Sequence, residues 1–355
     1  MKRIICFIDS LVAGGAQRQL VGLAKLLNDS DYEVLVLTYH NIPFYEKFLY
    51  ENGVQYLFLE SANNKWMRIP AILRFFYQWK PDVVVSYLDT PSIINCLSKF
   101  LGFKHKVVVS ERNTTQSITP KEKLKFFFYK FADVIVPNSY SQENFIKKNF
   151  PRLLSKTTTI TNFVDTDFFH PASTKPSNKV FHLISVGRID FQKNIINFLK
   201  AIKLVKDRGY DIHIEWFGNK FPSYFMLCQE FISKLGVSDT FIFREASKNI
   251  KEEYLKADAF ILPSLYEGFP NVICEAMACG LPILCSAVCD NPLLVKEGQN
   301  GFLFDPNDIT EMADKICCLL NLDGSDLKQI SENNRKYALA HLSSETFIEK
   351  YKKIL

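Results

Sequence analysis

Two glutamates eight positions apart, Glu267 and Glu275, flank Gly268-Phe269-Pro270-Asn271 in the stretch SLYEGFPNVICEAMACGLPI, residues 264–283. A carboxylate before a Gly-Phe-Pro turn and a second on the apolar segment behind it can grip the hydroxyls of one polyhydroxylated ligand. The backbone amides of the turn would reach oxygens between them. Each glutamate also has a plainer use: Glu275 would complement a helix dipole, and Glu267 would be a loop charge in water. Pro270 suits the first turn of a helix, and Gly280-Leu281-Pro282 reads as its stop. Glu267 is therefore expected in a loop and Glu275 about one turn into a helix. A second group lies upstream, in HLISVGRIDFQKNIINFLKAI. An apolar run ends at Gly187, and Arg188 and Lys193 follow before a helix that starts near Asn194. Gly187 permits a tight turn, Asn194 is the expected N-cap, and a helix N-terminus offers amides to an anion. Two cations so placed suit a diphosphate, or else are solvated surface charges.

These residues need a scaffold that holds loops at strand ends, and the sequence alternates accordingly. In the first half, β-branched runs at 4–8, 33–38, 54–58, 83–86, 106–110, 134–136 and 158–161 are separated by stretches of helical period such as 17–28, 69–79 and 92–101. Strand and helix alternating at this spacing predict a doubly wound parallel sheet. DTDFFHPASTKPSNK, residues 165–179, breaks the pattern and reads as a linker. A second alternation follows, with strands at 180–186, 211–217, 240–243, 259–262 and 282–285 and helices at 194–208, 223–235, 249–256 and 270–279. The predicted class is α/β, with two Rossmann-like doubly wound domains facing across a cleft. The expected division is 1–164, a linker 165–179, 180–340, and a C-terminal helix 341–355 packing back on the first domain.

Composition excludes several classes. At 355 residues and 47% hydrophobic, the chain has the apolar content of folded domains and the length for two. No uncharged apolar run reaches the ~18 residues of a spanning helix, and MKRIICFIDS reads as a first strand, not a secretion signal. Nine cysteines, with Cys317 and Cys318 adjacent, suit reduced cytosolic thiols. Cys274, Cys279, Cys285 and Cys289 cluster without metal-ligand spacing and read as small buried hydrophobes. Residues 1–165 carry 21 Lys/Arg against 14 Asp/Glu, and the remainder 22 against 24. The basic half suggests an anionic partner, either a membrane surface or phosphates. Part of that charge lies in TPKEKLKFFFYKFADV, where Lys121, Lys123, Lys125 and Lys130 alternate with aromatics. It is either an amphipathic helix with its aromatic side in the core or a helix lying on anionic lipid.

GRIDFQKN together with LPSLYEGFPNVICEAMACGLPI resembles the retaining glycosyltransferases of family 4, which have the two-domain B-type fold and a Glu-x7-Glu motif. GGAQR after the first strand, NFVDTDFFHP and EGQNGFLF fit the same family, so the resemblance spans essentially the whole chain. It implies that Arg188 and Lys193 hold the diphosphate of a UDP-sugar, beside Gly187 and Gly218. Glu267 with Gly268, Phe269, Pro270, Asn271 and Val272 would hold the donor sugar, Glu275 the ribose, and Ala246 and Ile250 the uracil. Gly14 and Gly15 would approach the phosphates from the first domain. Arg188, Lys193 and Glu267 are the expected catalytic residues. Many relatives carry a histidine after the strand that here reads VVVSERNTT; this chain has Glu111, Arg112 and Asn113, which with Arg18 are assigned to the acceptor. Their Ser-Glu-Arg-Asn form is similar to a subgroup using N-acetylhexosamine or galactose donors for bacterial surface glycans.

The expected reaction moves a hexose or N-acetylhexosamine from a UDP-sugar to a glycan or lipid-linked saccharide, with no cofactor and no metal. Asp165-Thr166-Asp167 spells a D-x-D but falls in the linker. VAGGAQRQL lacks the dinucleotide fingerprint, which argues against a nicotinamide oxidoreductase of the same α/β architecture. A sugar-nucleotide 2-epimerase of the same fold and a non-catalytic partner subunit stay open as alternatives. No nucleic-acid partner is expected, and the expected location is the cytoplasm, at or near the inner membrane face.

Overall fold

A computed structural model describes residues 1–112, 114–172, 179–247 and 249–355. The chain forms two compact units, Met1–Asn162 with Ser344–Leu355, and Phe163–Ser343.

In the first unit, β1 (Arg3–Phe7), β2 (Glu33–Thr38), β3 (Gln55–Phe58), β4 (Val83–Tyr87), β5 (Lys106–Glu111) and β6 (Val134–Pro137) form one parallel sheet in the order β3-β2-β1-β4-β5-β6. The helices are α1 (Gly15–Asn28), α2 (Glu46–Glu51), α3 (Arg68–Trp79), α4 (Asp89–Phe100), α5 (Pro120–Tyr129) and α6 (Tyr140–Asn149). Runs such as Val83-Val84-Val85 suit strands buried on both faces, which is what crossover helices impose. Ile5, Phe7, Leu37 and Val84 pack with Ile72 and Phe76 of α3 in one cluster. Val107, Val109 and Ile135 pack with Phe126 and Tyr129 of α5 in another. Each such aliphatic side chain contributes about 1.5–3 kcal/mol by leaving water. The strand expected at 158–161 does not form. The amides of Thr158 and Ile160 donate to the carbonyls of Ile135 and Pro137, but only one bridge, Ile135 to Thr157, is completed. Pro137 has no N–H to return, so the ladder stops there.

In the second unit, β7 (Phe181–Val186), β8 (Ile212–Phe217), β9 (Phe241–Arg244), β10 (Ala259–Leu262), β11 (Ile283–Ser286) and β12 (Gly301–Phe304) are ordered β12-β11-β10-β7-β8-β9, again parallel. Its helices are α7 (Ile195–Asp207), α8 (Pro222–Leu235), α9 (Ile250–Lys256), α10 (Asn271–Ala278), α11 (Asn291–Leu294), α12 (Ile309–Leu320) and α13 (Gly324–His341). Leu183, Ile214 and Trp216 pack with α7 and α12 in one cluster; Ile184, Phe260 and Leu262 pack with α10 in the other. Both sheets have the Rossmann strand order, whose direction of winding reverses beside the first strand.

The segment read as a linker begins inside the second unit. Phe169 is buried in its core, and Arg335 donates to the carbonyls of Thr166 and Phe169. Asp165 Oδ1 accepts from the amides of Asp167 and Phe168, so this carboxylate closes a turn. Residues 173–178 lie outside the described residues. The last helix, α14 (Ser344–Lys352), belongs to the first unit, where Tyr351 and Tyr87 share a 3.0 Å hydroxyl contact. Among the described residues, no helix is long and apolar enough to cross a membrane.

Candidate functional site

The point where winding reverses in the second sheet lies between β7 and β10, and the loops leaving these strands carry Gly187-Arg188 to Lys193 and Ser264 to Pro270. In open α/β sheets such a crevice receives ligands at the strands' carboxyl ends. Lys193 ends a 3-10 turn, Phe191–Lys193, and its aliphatic stem lies over Gly187: a Cβ on Gly187 would come 2.9 Å from Lys193 Cε. The missing side chain lets the lysine lie flat on the strand end and reach the next loop. There Lys193 Nζ lies 2.5 Å from Glu267 Oε1, both residues buried. Gln192 fastens the same two loops, accepting from Leu265 N at its carbonyl and donating its side-chain amide to the Tyr266 carbonyl, each at 2.8 Å.

Gly218 at the end of β8 is required by the same close packing, because a Cβ there would sit 1.9 Å from the Gly187 carbonyl oxygen. Trp216 Nε1 donates to that oxygen at 2.9 Å. Arg188 points outward, its guanidinium 3.2 Å from Asp190 and 3.3 Å from Gln192 Oε1. The two cations thus differ: Lys193 is a buried, fixed charge and Arg188 an exposed one.

The second glutamate lies on α10, as the spacing predicted, but in the interior. Glu275 is buried and accepts from Tyr254 Oη at 3.1 Å. Pro270 occupies the N-cap position and not the first turn, and Phe269 is buried in the core below the helix. Gly268, Asn271 and Val272 are half-buried around that start. Asn194 does not cap α7 with its side chain. Its backbone is left-handed, at φ 56°, and its side-chain amide donates to the Pro263 and Pro306 carbonyls. Ala246 is exposed in the loop after β9, and Ile250, half-buried, opens α9.

In the first unit, Gly14 and Gly15 sit where β1 gives way to α1, with Gly14 at the N-cap and extended. A Cβ on Gly14 would meet Gln17 Oε1 at 2.4 Å. Arg18, half-buried, lies in the first turn of α1. Glu111 and Arg112, assigned to an acceptor by the sequence, are bonded within the unit. Glu111 accepts from the Tyr129 hydroxyl, from Lys125 Nζ at 2.8 Å and from Gln142 Nε2 at 3.4 Å. Arg112 stacks on the Tyr87 ring, donates to its hydroxyl, and donates to Asn162 Oδ1 at 2.8 Å. Asn113 lies outside the described residues.

The segment 121–131 divides its lysines. Lys125 is inside; against the pull of burial, Glu111, Asp89 at 3.4 Å and Glu122 at 3.9 Å keep its ammonium above the ordinary lysine range. Phe126 and Tyr129 are core residues, whereas Lys123, Leu124, Phe127 and Lys130 are exposed. One side of the helix is therefore in the core, and the other leaves lysines and Phe127 exposed. Cys274, Cys279 and Cys285 are free thiols in the apolar core, with Cys285 wholly buried. Sequence reasoning missed Gln192 and Tyr254, which carry no motif and are recognisable only by what they touch.

Two family models divide the chain between them: Glycosyltransferase Family 4 matches residues 13–168 and Glycosyl transferases group 1 matches residues 165–337. The chain is a glycosyltransferase. This glycosyltransferase is 26% identical, over 97% of each chain, to a Campylobacter jejuni enzyme named as an undecaprenol-diphosphate-linked GalNAc acceptor's alpha-1,4-N-acetyl-D-galactosaminyltransferase. It is 24% identical to an amylovoran biosynthesis glycosyltransferase of Erwinia amylovora, over 86% of each. Its fold matches a crystal structure of Anabaena HepE in complex with UDP, with a TM-score of 0.86 at 18% identity over 100% of this chain and 99% of that one. That likeness establishes the B-type glycosyltransferase fold.

Proposed function

We propose that this glycosyltransferase moves a hexose or N-acetylhexosamine from a UDP-sugar, with retention of anomeric configuration, to a glycan or lipid-linked saccharide. The process would be assembly of a bacterial surface polysaccharide or lipopolysaccharide, on the inner face of the membrane. The observation that carries this reading is the buried Lys193–Glu267 pair beside the exposed Arg188 at the turning point of the second sheet. Lys193 and Arg188 would neutralise the diphosphate as the anomeric C–O bond breaks, the point at which fixed charge accelerates most. The acceptor hydroxyl forms the new bond on the face the diphosphate leaves, and its proton passes to the departing phosphate oxygen. Glu267 would orient the donor sugar with Gly268, Phe269, Pro270, Asn271 and Val272, while Glu275 serves the ribose and Ala246 and Ile250 the base. In the first unit Gly14 and Gly15 would face phosphate and Arg18 the acceptor; Glu111 and Arg112 would shape that region from within.

Relatives acting on undecaprenol-linked GalNAc and in amylovoran biosynthesis support the acceptor class. The exposed Lys123, Phe127 and Lys130 support contact with anionic lipid. The test is release of nucleoside diphosphate with and without a lipid-linked saccharide, after a thermal-shift screen of nucleotide-sugars. A donor at 100 times its Kd adds about 2.7 kcal/mol of stability. Acceptor-dependent UDP release that survives excess chelator is expected. Conversion of the UDP-sugar to an epimer without acceptor would favour the epimerase, and no turnover with intact binding would favour a partner subunit.

A further inference from the structure

β7 and β8 pair in parallel with His182 directly opposite His213. Strand alternation puts Glu215, two residues beyond His213, on the same face. The two imidazole centroids are 5.3 Å apart. Glu215 Oε2 lies 3.1 Å from His182 Nε2, and Glu215 Oε1 lies 3.9 Å from His213 Nε2. Ligand atoms of all three residues fall within 4.8 Å of one another.

His182 supplies the second observation. Its side chain is buried, and Nε2 has no hydrogen-bond partner even though the Glu215 carboxylate is close. The ring bonds the backbone of Lys256, which leaves Nε2 as the nitrogen aimed at Glu215. With the proton on the other nitrogen, Nε2 is an acceptor 3.1 Å from a second acceptor with no hydrogen bond between them, and one shared cation would satisfy both. Arg244 does not fill the gap, because its Nε engages the other carboxylate oxygen, Oε1, at 2.6 Å. A tetrahedral ion with bonds of about 2.1 Å spaces its ligands about 3.4 Å apart, close to the 3.1 Å between His182 Nε2 and Glu215 Oε2. Two imidazoles and one carboxylate form a donor set that suits zinc-like ions and not magnesium.

We propose that His182, His213 and Glu215 bind one divalent transition-metal ion of the zinc type, clamping β7 to β8. His182 and His213 are the second residues of their strands, whereas Gly187 and Gly218 follow the last ones. The histidines lie roughly 16 Å along the strands from Gly187 and Gly218, where the Lys193–Glu267 loops begin, at about 3.3 Å per residue. The site is a fastening at the far end of the sheet, and transfer chemistry does not pass through it.

The probe is ZnCl2, titrated by calorimetry into the full chain after chelator treatment and desalting, with melting temperature followed in parallel. One equivalent is expected to bind with a Kd below about 10 µM, and saturation should raise the melting temperature by roughly 5 °C. His213→Gln should weaken binding by about tenfold or more, and its half-exposed position lets the variant fold. Cys318→Ser, at an exposed thiol, should leave affinity unchanged. Absence of saturable binding up to about 100 µM, equal affinity in His213→Gln, or loss of binding in Cys318→Ser would overturn the assignment.

Discussion

Lys193 Nζ and Glu267 Oε1 meet at 2.5 Å although 74 residues separate them in sequence, and both side chains are about nine-tenths buried. Removing one partner strands the other charge in a region of low polarity. Lys193→Ala should therefore lower turnover by about 10²-fold or more and also cost about 3–5 kcal/mol of stability. Replacing both, as Lys193→Met with Glu267→Leu, should restore much of the stability while leaving the enzyme inactive. Chemical denaturation and UDP release separate the two effects. Near-normal turnover of Lys193→Ala would remove the lysine from the mechanism.

Gly218 is held against the Gly187 carbonyl, where an added Cβ would lie 1.9 Å from oxygen and 2.7 Å from carbon. Both atoms are backbone, so no side chain can swing aside. Gly218→Ala should destabilise by about 2–3 kcal/mol and weaken UDP binding, because the ends of β7 and β8 must part. Gly324→Ala, which would meet nothing within 4 Å, is the control and should melt no lower than the wild type.

The lysines of α5 should behave differently from one another. Lys123→Ser with Lys130→Ser should weaken sedimentation with anionic liposomes at low salt by about 1 kcal/mol per charge, leaving transfer to a soluble acceptor almost unchanged. Lys125→Ser should instead destabilise the fold by about 3–5 kcal/mol, since Glu111 would stay buried without its ammonium partner. If the wild type does not sediment with anionic vesicles, the exposed face of α5 is not a lipid contact and the acceptor is a soluble sugar.

His105 provides a pH test. Burial, followed by the nearby Lys99 charge, pushes its imidazole down from 6.5 to about 4. Above pH 6.5 the ring is neutral in folded and unfolded chains alike, and it contributes no pH dependence. Between 6.5 and about 4 the unfolded chain takes up a proton that the folded chain refuses, so stability falls as pH falls. The slope from this residue is about 1.4 kcal/mol per pH unit at most. Urea unfolding at several pH values should show a flatter acid limb for His105→Gln. Identical slopes would mean that His105 titrates normally in the fold.

The α/β class was legible because strands buried on both faces need uninterrupted β-branched runs, and crossover helices need a 3.6-residue period. Both are local. The placement of Arg188 and Lys193 between a strand and a helix, and of Glu267 before the helix that carries Glu275, was legible for the same reason. Strand order, by contrast, is a long-range choice. Only the adjacency of β7 and β10 brings Lys193 to Glu267, and only the β7–β8 register sets His182 opposite His213. Side-chain depth was likewise undecided by type. Glu111, Arg112 and Lys125 read as accessible charges, yet each is buried, because tertiary packing supplied partners from other elements: Tyr129 and Gln142 for Glu111, Tyr87 and Asn162 for Arg112, Asp89 for Lys125. A local pattern specifies which way a residue faces along its own element. What stands opposite is set by which elements become neighbours, and that determines whether a charge is solvated or paired.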